Sequence, residues 1–338
     1  MMKRKGLFIA TILMLALSLI LTACGTSKDT TNGAQGENTE GKKSSGKKEF
    51  ISLLTGGTGG TYYPLGGTFT AQWNDEIDGV EATAQVTGAS AENMQTLSEG
   101  EAEVAFTQTD IASYALDGKM MFPEKITNFK AMGTLYPETV QIVTTEKSGI
   151  KSVEDLKGKT VSIGAGGSGT AANAEQILEV HGLTLDDIKK QDLSFDESTT
   201  GIQDGHIDAA FVTAGTPTGA IEGLSATEKV VIVPITEDKI AELEEKYPYY
   251  AKDTIPVGTY GSEEEITTVA IKAMLVVRDD LEEDLVYKMT KTLFENTDKI
   301  GHSKGKLISA ETALEGLKGM ELHPGAKKYF DEKGIKLE

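Results

Sequence analysis

Phe50-Ile-Ser-Leu-Leu-Thr55-Gly56-Gly57-Thr58-Gly59-Gly60-Thr61-Tyr62-Tyr63-Pro64 is the stretch on which the fold turns. Phe50–Thr55 is short, apolar and bounded by glycine, and reads as a strand. The glycines that follow permit a tight turn and a close approach of backbone to a ligand. From Thr61 to Ile77, Tyr62, Leu65, Phe69, Trp73 and Ile77 recur at three- and four-residue steps, the spacing of one helix face. Pro64 is compatible with that helix because it falls in the first turn. Strand, glycine loop and helix together open a βαβ unit.

The same alternation extends outward. Glu81–Val86 reads as a strand, Ser90–Ser98 as a helix, Val104–Thr107 as a strand and Asp110–Leu116 as a helix. A second unit starts after Tyr136-Pro137, with strands at Thr139–Thr145 and Lys159–Ile163. Gly164-Ala165-Gly166-Gly167-Ser168-Gly169 then leads into a helix over Thr170–His181, closed by Gly182, a favoured helix-ending residue. Ile207–Thr213 is a further strand, and the long apolar run Thr268–Val277 reads as a strand returning to the first unit. There is no repeat at a solenoid period. The pattern predicts an α/β fold with mostly parallel sheet, and the length of the body suits two domains.

Two strand–glycine loop–helix junctions, at 56–62 and 164–170, are the candidate sites. A helix start offers free N–H groups and partial positive charge, which suits an anion. Thr61, Tyr62, Ser168 and Thr170 add hydroxyls there. Either loop alone reads equally well as a tight turn capped by Ser or Thr; two hydroxyl-rich loops in one chain favour a ligand site. The second loop also satisfies G-x-G-x-x-G, with Asp186 near the distance of a ribose-binding acid, but that motif is weak alone. Catalytic sets are poor. Ser168 lacks G-x-S-x-G spacing. His181, His206, His302 and His323 include no pair at metal-ligand spacing. The expectation is no cofactor and no metal. Glu242-Leu243-Glu244-Glu245 reads as a solvated helix face.

The chain has 338 residues and one cysteine, Cys24. Lys3, Arg4 and Lys5 precede an apolar run, Leu7–Leu21, shorter than the roughly 18 residues of a spanning helix. With Leu21-Thr22-Ala23-Cys24 this has the order of a secretory signal. It resembles a bacterial lipobox, which implies residues 1–23 as a signal peptide and a lipid on Cys24. Gly25–Glu49 has Ala34 as its one aliphatic residue and reads as a flexible linker. Residues 1–23 hold three of the 33 basic residues and none of the 52 acidic ones, so the remainder carries a net charge of −22. That argues against nucleic acid, whose binding rests on Lys and Arg neutralising phosphates. Arg4 and Arg278 are the only arginines.

Taken in order, several segments resemble the TAXI-type solute receptors of TRAP transporters. They are Thr55–Gly66, Gly100–Asp110, Leu135-Tyr-Pro-Glu138, Asp155–Gly164 into Gly167-Ser-Gly-Thr170, Gly205–Phe211 before Gly215-Thr-Pro217, and His323-Pro-Gly-Ala326. The resemblance covers nearly the whole body. It implies a two-lobed, type II periplasmic-binding-protein-like fold with a ligand cleft between lobes. The first lobe would comprise 50–138 and 258–338, and the second 139–257. Strands near Thr139–Thr145 and Tyr260–Val277 would act as hinges. The implied function is a non-enzymatic, monomeric, extracytoplasmic receptor on the outer face of the cytoplasmic membrane. It would deliver a small carboxylate, glutamate-like or 2-oxoglutarate-like, to a TRAP permease. Expected ligand contacts are Gly60, Thr61, Tyr62 and Gln108 from the first lobe, and Gly167, Ser168, Gly169 and Thr170 from the second. Thr213, Thr216 and Pro217 would shape the far wall. A sensory receptor and an exported hydrolase are the alternatives.

Overall fold

The computed structural model describes residues 48–317 and 319–336; the signal segment, Cys24 and the linker lie outside them. Strand β1 (Glu49–Leu54) buries Ile51, Leu53 and Leu54. Helix α1 (Tyr62–Glu76) turns Tyr62, Leu65, Phe69 and Trp73 inward, as the sequence period requires. Trp73 is fully buried and its indole N–H donates to the Met289 carbonyl at 3.1 Å. Strand β2 (Val80–Gln85), helix α2 (Ser90–Ser98), strand β3 (Val104–Gln108) and helix α3 (Thr109–Asp117) follow. Gly118, at φ 64°, supplies the left-handed residue that ends α3.

Strand β4 (Phe129–Thr145) is 17 residues long and leads into β5 (Thr160–Ser162), α4 (Gly169–Val180), β6 (Lys189–Gln191), α5 (Phe195–Gln203) and β7 (Ala209–Ala214). Then come α6 (Gly219–Ser225), β8 (Val230–Val233), α7 (Glu237–Lys246) and β9 (Ala251–Ile255). Strand β10 (Ile266–Arg278), α8 (Glu283–Glu295) and α9 (Pro324–Glu332) complete the chain. The acidic run Glu242–Glu245 lies in α7, whose Ile240 and Leu243 alone are buried.

The sheet runs β2-β1-β3-β10-β4-β7-β5-β6, with β8 beside β4 and β9 beside β10. Each end repeats one plan. β1 is parallel to β2 and β3, and β3 is antiparallel to β10. β5 is parallel to β6 and β7, and β7 is antiparallel to β4. Strands β4 and β10 pair with each other and pass through both halves. Along them the packing changes hands. Leu135 and Tyr136 of β4, with Ala273–Val277 of β10, join the core under α1, α2 and α8. Val140 and Ile142, with Val269 and Ile271, join the core under α4 and α7. A third cluster, around Phe195, Val212 and Ile221, covers the opposite face of the second half. Among the described residues no helix is long and apolar enough to cross a membrane.

Candidate functional site

In both halves the parallel strands end at the same place, and the loops leaving their C-terminal ends converge there. This is where open α/β sheets hold ligands. The loops after β1, β2, β5 and β6, with the last residues of β3 and β7, all reach one cavity. It allows the centre of a water-sized sphere about 60 Å³, room for a small organic molecule or a few waters.

Helices α1 and α4 both begin at this cavity, and their first-turn N–H groups have no intrahelical acceptor. Helices α2 and α5 begin there too, at Ala89-Ser90 and Ser194-Phe195, so several positive helix ends converge on one space. Ser168 caps α4, its Oγ accepting from the Ala171 N–H at 3.2 Å. Its hydroxyl proton is still available to a ligand. Thr61 does not cap α1. Its Oγ1 instead accepts from the Gly215 N–H at 3.0 Å, in the other half. Further bonds close the same seam. Ala220 N–H donates to the Gly59 carbonyl at 3.1 Å, and Ala91 and Glu92 N–H donate to the Gly167 carbonyl at 2.9 and 3.0 Å. Thr58 Oγ1 donates to Asp196 Oδ2 at 3.0 Å.

Of the residues expected from sequence, Gly60, Thr61, Tyr62, Gln108, Ser168, Gly169, Thr170 and Thr213 line the cavity. Gly167, Thr216 and Pro217 do not; Gly167 faces the seam through its carbonyl, and Pro217 lines a separate surface hollow with Tyr260. The lining also holds residues that sequence reasoning passed over, chiefly Glu138, Ser194 and Phe195. Glu138 stands in the quoted Leu-Tyr-Pro-Glu segment, but a single carboxylate among 52 acidic residues carries no signal by itself.

Glu138 sits in β4 where the strand crosses between halves, and is 2% exposed. The Tyr62 hydroxyl donates to its Oε2 at 3.1 Å and the Tyr136 hydroxyl to its Oε1 at 3.5 Å. Tyr62 is held in place by stacking on Phe106, ring centres 4.7 Å apart. Burial pushes the Glu138 carboxyl up to about 8, against the downward pull of the Tyr62 hydrogen bond. Next to it, Gln108 Nε2 donates to Asn173 Oδ1 at 3.2 Å, and Asn173 donates to Asp110 Oδ2 at 3.2 Å. Burial raises Asp110 to about 7. Gln108 Oε1 and Thr213 Oγ1 are buried, line the cavity and find no hydrogen-bond partner among the described residues. Buried polar atoms are nearly always hydrogen-bonded, so two unfilled positions at one cavity point to a ligand. No Lys, Arg or His is among the lining residues. Arg278 is remote from it, bonded to Asp280. Among the described residues no cluster of His, Cys, Asp and Glu could hold a metal ion.

The architecture is a two-lobed α/β fold of the type II periplasmic-binding-protein kind, with its cavity between the lobes. It is similar to the structure of a protein from Bordetella bronchiseptica RB50, at 16% identity and a TM-score of 0.54, over 85% of this chain and 98% of that one. It is also similar to a ligand-binding component of an ABC-type import system from Staphylococcus aureus, at 12% identity and a TM-score of 0.50, over 86% of this chain and 93% of that one. The chain belongs to the NMT1-like family, which matches residues 53–334.

Proposed function

We propose that this chain is an extracytoplasmic receptor that binds one small carboxylate-bearing solute between its lobes and hands it to a membrane permease. The observation that carries this reading is the cavity where helix N-termini from both halves meet, rich in hydroxyls and backbone groups and with no Lys, Arg or His among its described lining residues. Such a site can hold a carboxylate through N–H groups and helix dipoles, without an arginine fork. It lacks a nucleophile–base pair among its lining residues, so binding without turnover is the chemistry it supports best.

In this reading residues 50–138 with 258–338 form one lobe and 139–257 the other. The crossing strands β4 and β10 are the hinge, and the bonds along the seam are those made on closure. Residues 1–23 are a signal peptide, and a lipid on Cys24 with the linker to Glu49 tethers the body to the outer face of the membrane. The resemblance of the ordered segments to TAXI-type receptors supports a TRAP permease as partner, and a glutamate-like or 2-oxoglutarate-like ligand. An ABC-type importer is the second reading, favoured by the likeness to the Staphylococcus aureus component.

Calorimetry of the mature protein against a panel of small carboxylates tests the receptor reading. One site per chain is expected, with the bound compound recovered unchanged by mass spectrometry. Conversion of the compound, or no binding across the panel, would refute it. In the same strain, Cys24→Ala is expected to shift the protein from the membrane to the soluble fraction or to leave its signal uncut. Normal processing with unchanged retention counts against the anchor.

A further inference from the structure

Beside the cavity, a line of buried polar side chains crosses from one half to the other. Glu138 of β4, Gln108 at the end of β3 and Asp110 in the first turn of α3 belong to the first half, and Asn173 of α4 to the second. None of the four is more than 2% exposed. Asn173 bonds both Gln108 and Asp110, and Asp110 Oδ1 accepts from the Ile111 N–H at 2.8 Å. The Gln108 amide also lies beside the Glu138 carboxyl. The same helix pair is sealed further along by neutral groups. Gln176 Nε2 of α4 donates to the Tyr114 hydroxyl of α3 at 3.0 Å, and the Tyr250 hydroxyl donates to Gln176 Oε1 at 2.8 Å.

Two carboxyls thus stand in one buried network that brings them no cation. A buried carboxylate is tolerated when a positive charge pairs it, and two close together disfavour each other's ionisation. We propose that closing the two halves takes up a proton, held on the Asp110 and Glu138 carboxyls and sealed in by Asn173. The proposal rests on the two-lobed closure of the receptor reading and adds the proton as a second ligand. The amides between the acids suit either state. Turned as they stand, Asn173 gives an N–H to Asp110. A half-turn of both amides instead presents Asn173 Oδ1 to a proton on Asp110 and Gln108 Oε1 to the Asn173 N–H.

The surroundings fix the sign of the pH dependence. Glu138 faces Tyr62 of α1, Tyr136 of β4, Gln108 of β3 and Asp110. Asp110 faces Asn173 of α4, Tyr114 of its own helix and Tyr250 between α7 and β9. None of these is a cation. In the closed form burial raises Asp110 to about 7 and Glu138 to about 8. With the halves apart, α4 and Tyr250 withdraw from Asp110 and water reaches the acids, which return toward the ordinary carboxylate range of about 4. Carboxyls raised on closure make closure most favourable at low pH and progressively less so as pH rises from about 4 to 8.

Calorimetry with 2-oxoglutarate, or the panel carboxylate that binds, at pH 6, 7 and 8 in two buffers of different ionisation enthalpy reads affinity and proton uptake together. The expected result is uptake of about one proton at pH 7 and a loss of about tenfold or more in affinity from pH 6 to 8. Asp110→Asn supplies a neutral side chain of the same shape. It should bind within about threefold of wild type at pH 6, bind about fivefold or more tighter than wild type at pH 8, and take up less proton. A residue needed only for structure would lose affinity at both pH values. Binding with no proton uptake and a flat pH profile overturns the proton site and leaves the receptor standing; that wild-type result decides even if Asp110→Asn does not fold. If no carboxylate on the panel binds, the receptor reading fails and a locked protein decides this one. A Cβ on Gly57 would lie 3.8 Å from Ser194 Cβ across the seam, the spacing of a disulfide. Gly57→Cys with Ser194→Cys in a Cys24→Ala background therefore holds the halves closed when oxidised. Infrared spectroscopy at pH 7 should then show a protonated carboxyl that Asp110→Asn weakens, and its absence from the oxidised protein overturns the proposal.

Discussion

The loops at 55–62 and 163–170 look alike in sequence, each a strand, a run of glycines, a hydroxyl and a helix. In the structure they bind the opposite half differently. The first reaches across with a side chain, Thr61 Oγ1 to the Gly215 N–H, and leaves α1 without a side-chain cap. The second spends its Ser168 hydroxyl on capping α4 and reaches across with backbone, through the Gly167 carbonyl to Ala91 and Glu92. Equivalent places in the two lobes thus divide the work of capping and closing differently. Substitution in one loop should not copy its effect in the other.

The largest difference is expected at the glycines that touch the far half. A Cβ on Gly169 would lie 1.7 Å from Gln108 Oε1, inside the buried wall of the cavity. A Cβ on Gly59 would lie 2.3 Å from Asp196 Oδ1. Asp196 is exposed and can swing aside, giving up the bond from Thr58. Gly169→Ala should therefore cost about 1–3 kcal/mol of overpacking in the liganded state, roughly five- to a hundredfold in Kd. Gly59→Ala should stay within about threefold, since exposed polar contacts contribute little. Equal losses in the two variants would mean that burial is not what ranks these contacts.

The capping residues separate next. Ser168→Ala removes the α4 cap, about 1 kcal/mol of stability, and a cavity hydroxyl, so Tm and affinity should both fall. The loss in Kd should be about ten- to a hundredfold if the hydroxyl donates to a charged group. Thr61→Ala removes no cap. It should lower affinity by weakening closure while moving Tm less than Ser168→Ala does. Thermal melts of the unliganded proteins beside titrations check the pair, and an equal drop in Tm for both variants would erase the distinction drawn between the loops.

How much of this could be read from the chain follows from where signals are local. The βα junctions were legible because glycine loops and helical spacing announce themselves within 20 residues. The first half of β4 was not, because Gly133 and Pro137 interrupt it with residues that usually mark turns. It is a strand because β10 pairs with it from Phe129 onward, a partner more than 100 residues away. Strand β6 is Lys189-Lys190-Gln191, all exposed, and only the edge pairing with β5 defines it. At the site, the hydroxyls and glycines were legible from the loops, whereas Glu138 gains its character from burial beside Tyr62 and Tyr136, which only the folded chain shows.

The smallest effect is expected at Arg278, and it tests the comparison from outside the cavity. Guanidinium matches a carboxylate bidentately, so an arginine is the usual suspect where a carboxylate binds. Arg278 is the only arginine beyond residue 4, and it stands at the end of a strand that crosses both halves. Its fork is already filled, with Nε 2.8 Å from Asp280 Oδ1 and Nη2 3.0 Å from Asp280 Oδ2. Nη1 donates to the Gly100 carbonyl at 3.3 Å and lies 3.7 Å from Glu103. These partners lie at the end of the β3–β10 pair remote from the cavity lining, and none lines the cavity. A solvent-accessible ion pair of this kind contributes up to about 1 kcal/mol. Arg278→Ala should therefore lower Tm slightly and leave Kd within about twofold. A large loss of affinity with normal stability would show that the helix starts of α1 and α4 do not hold the carboxylate on their own.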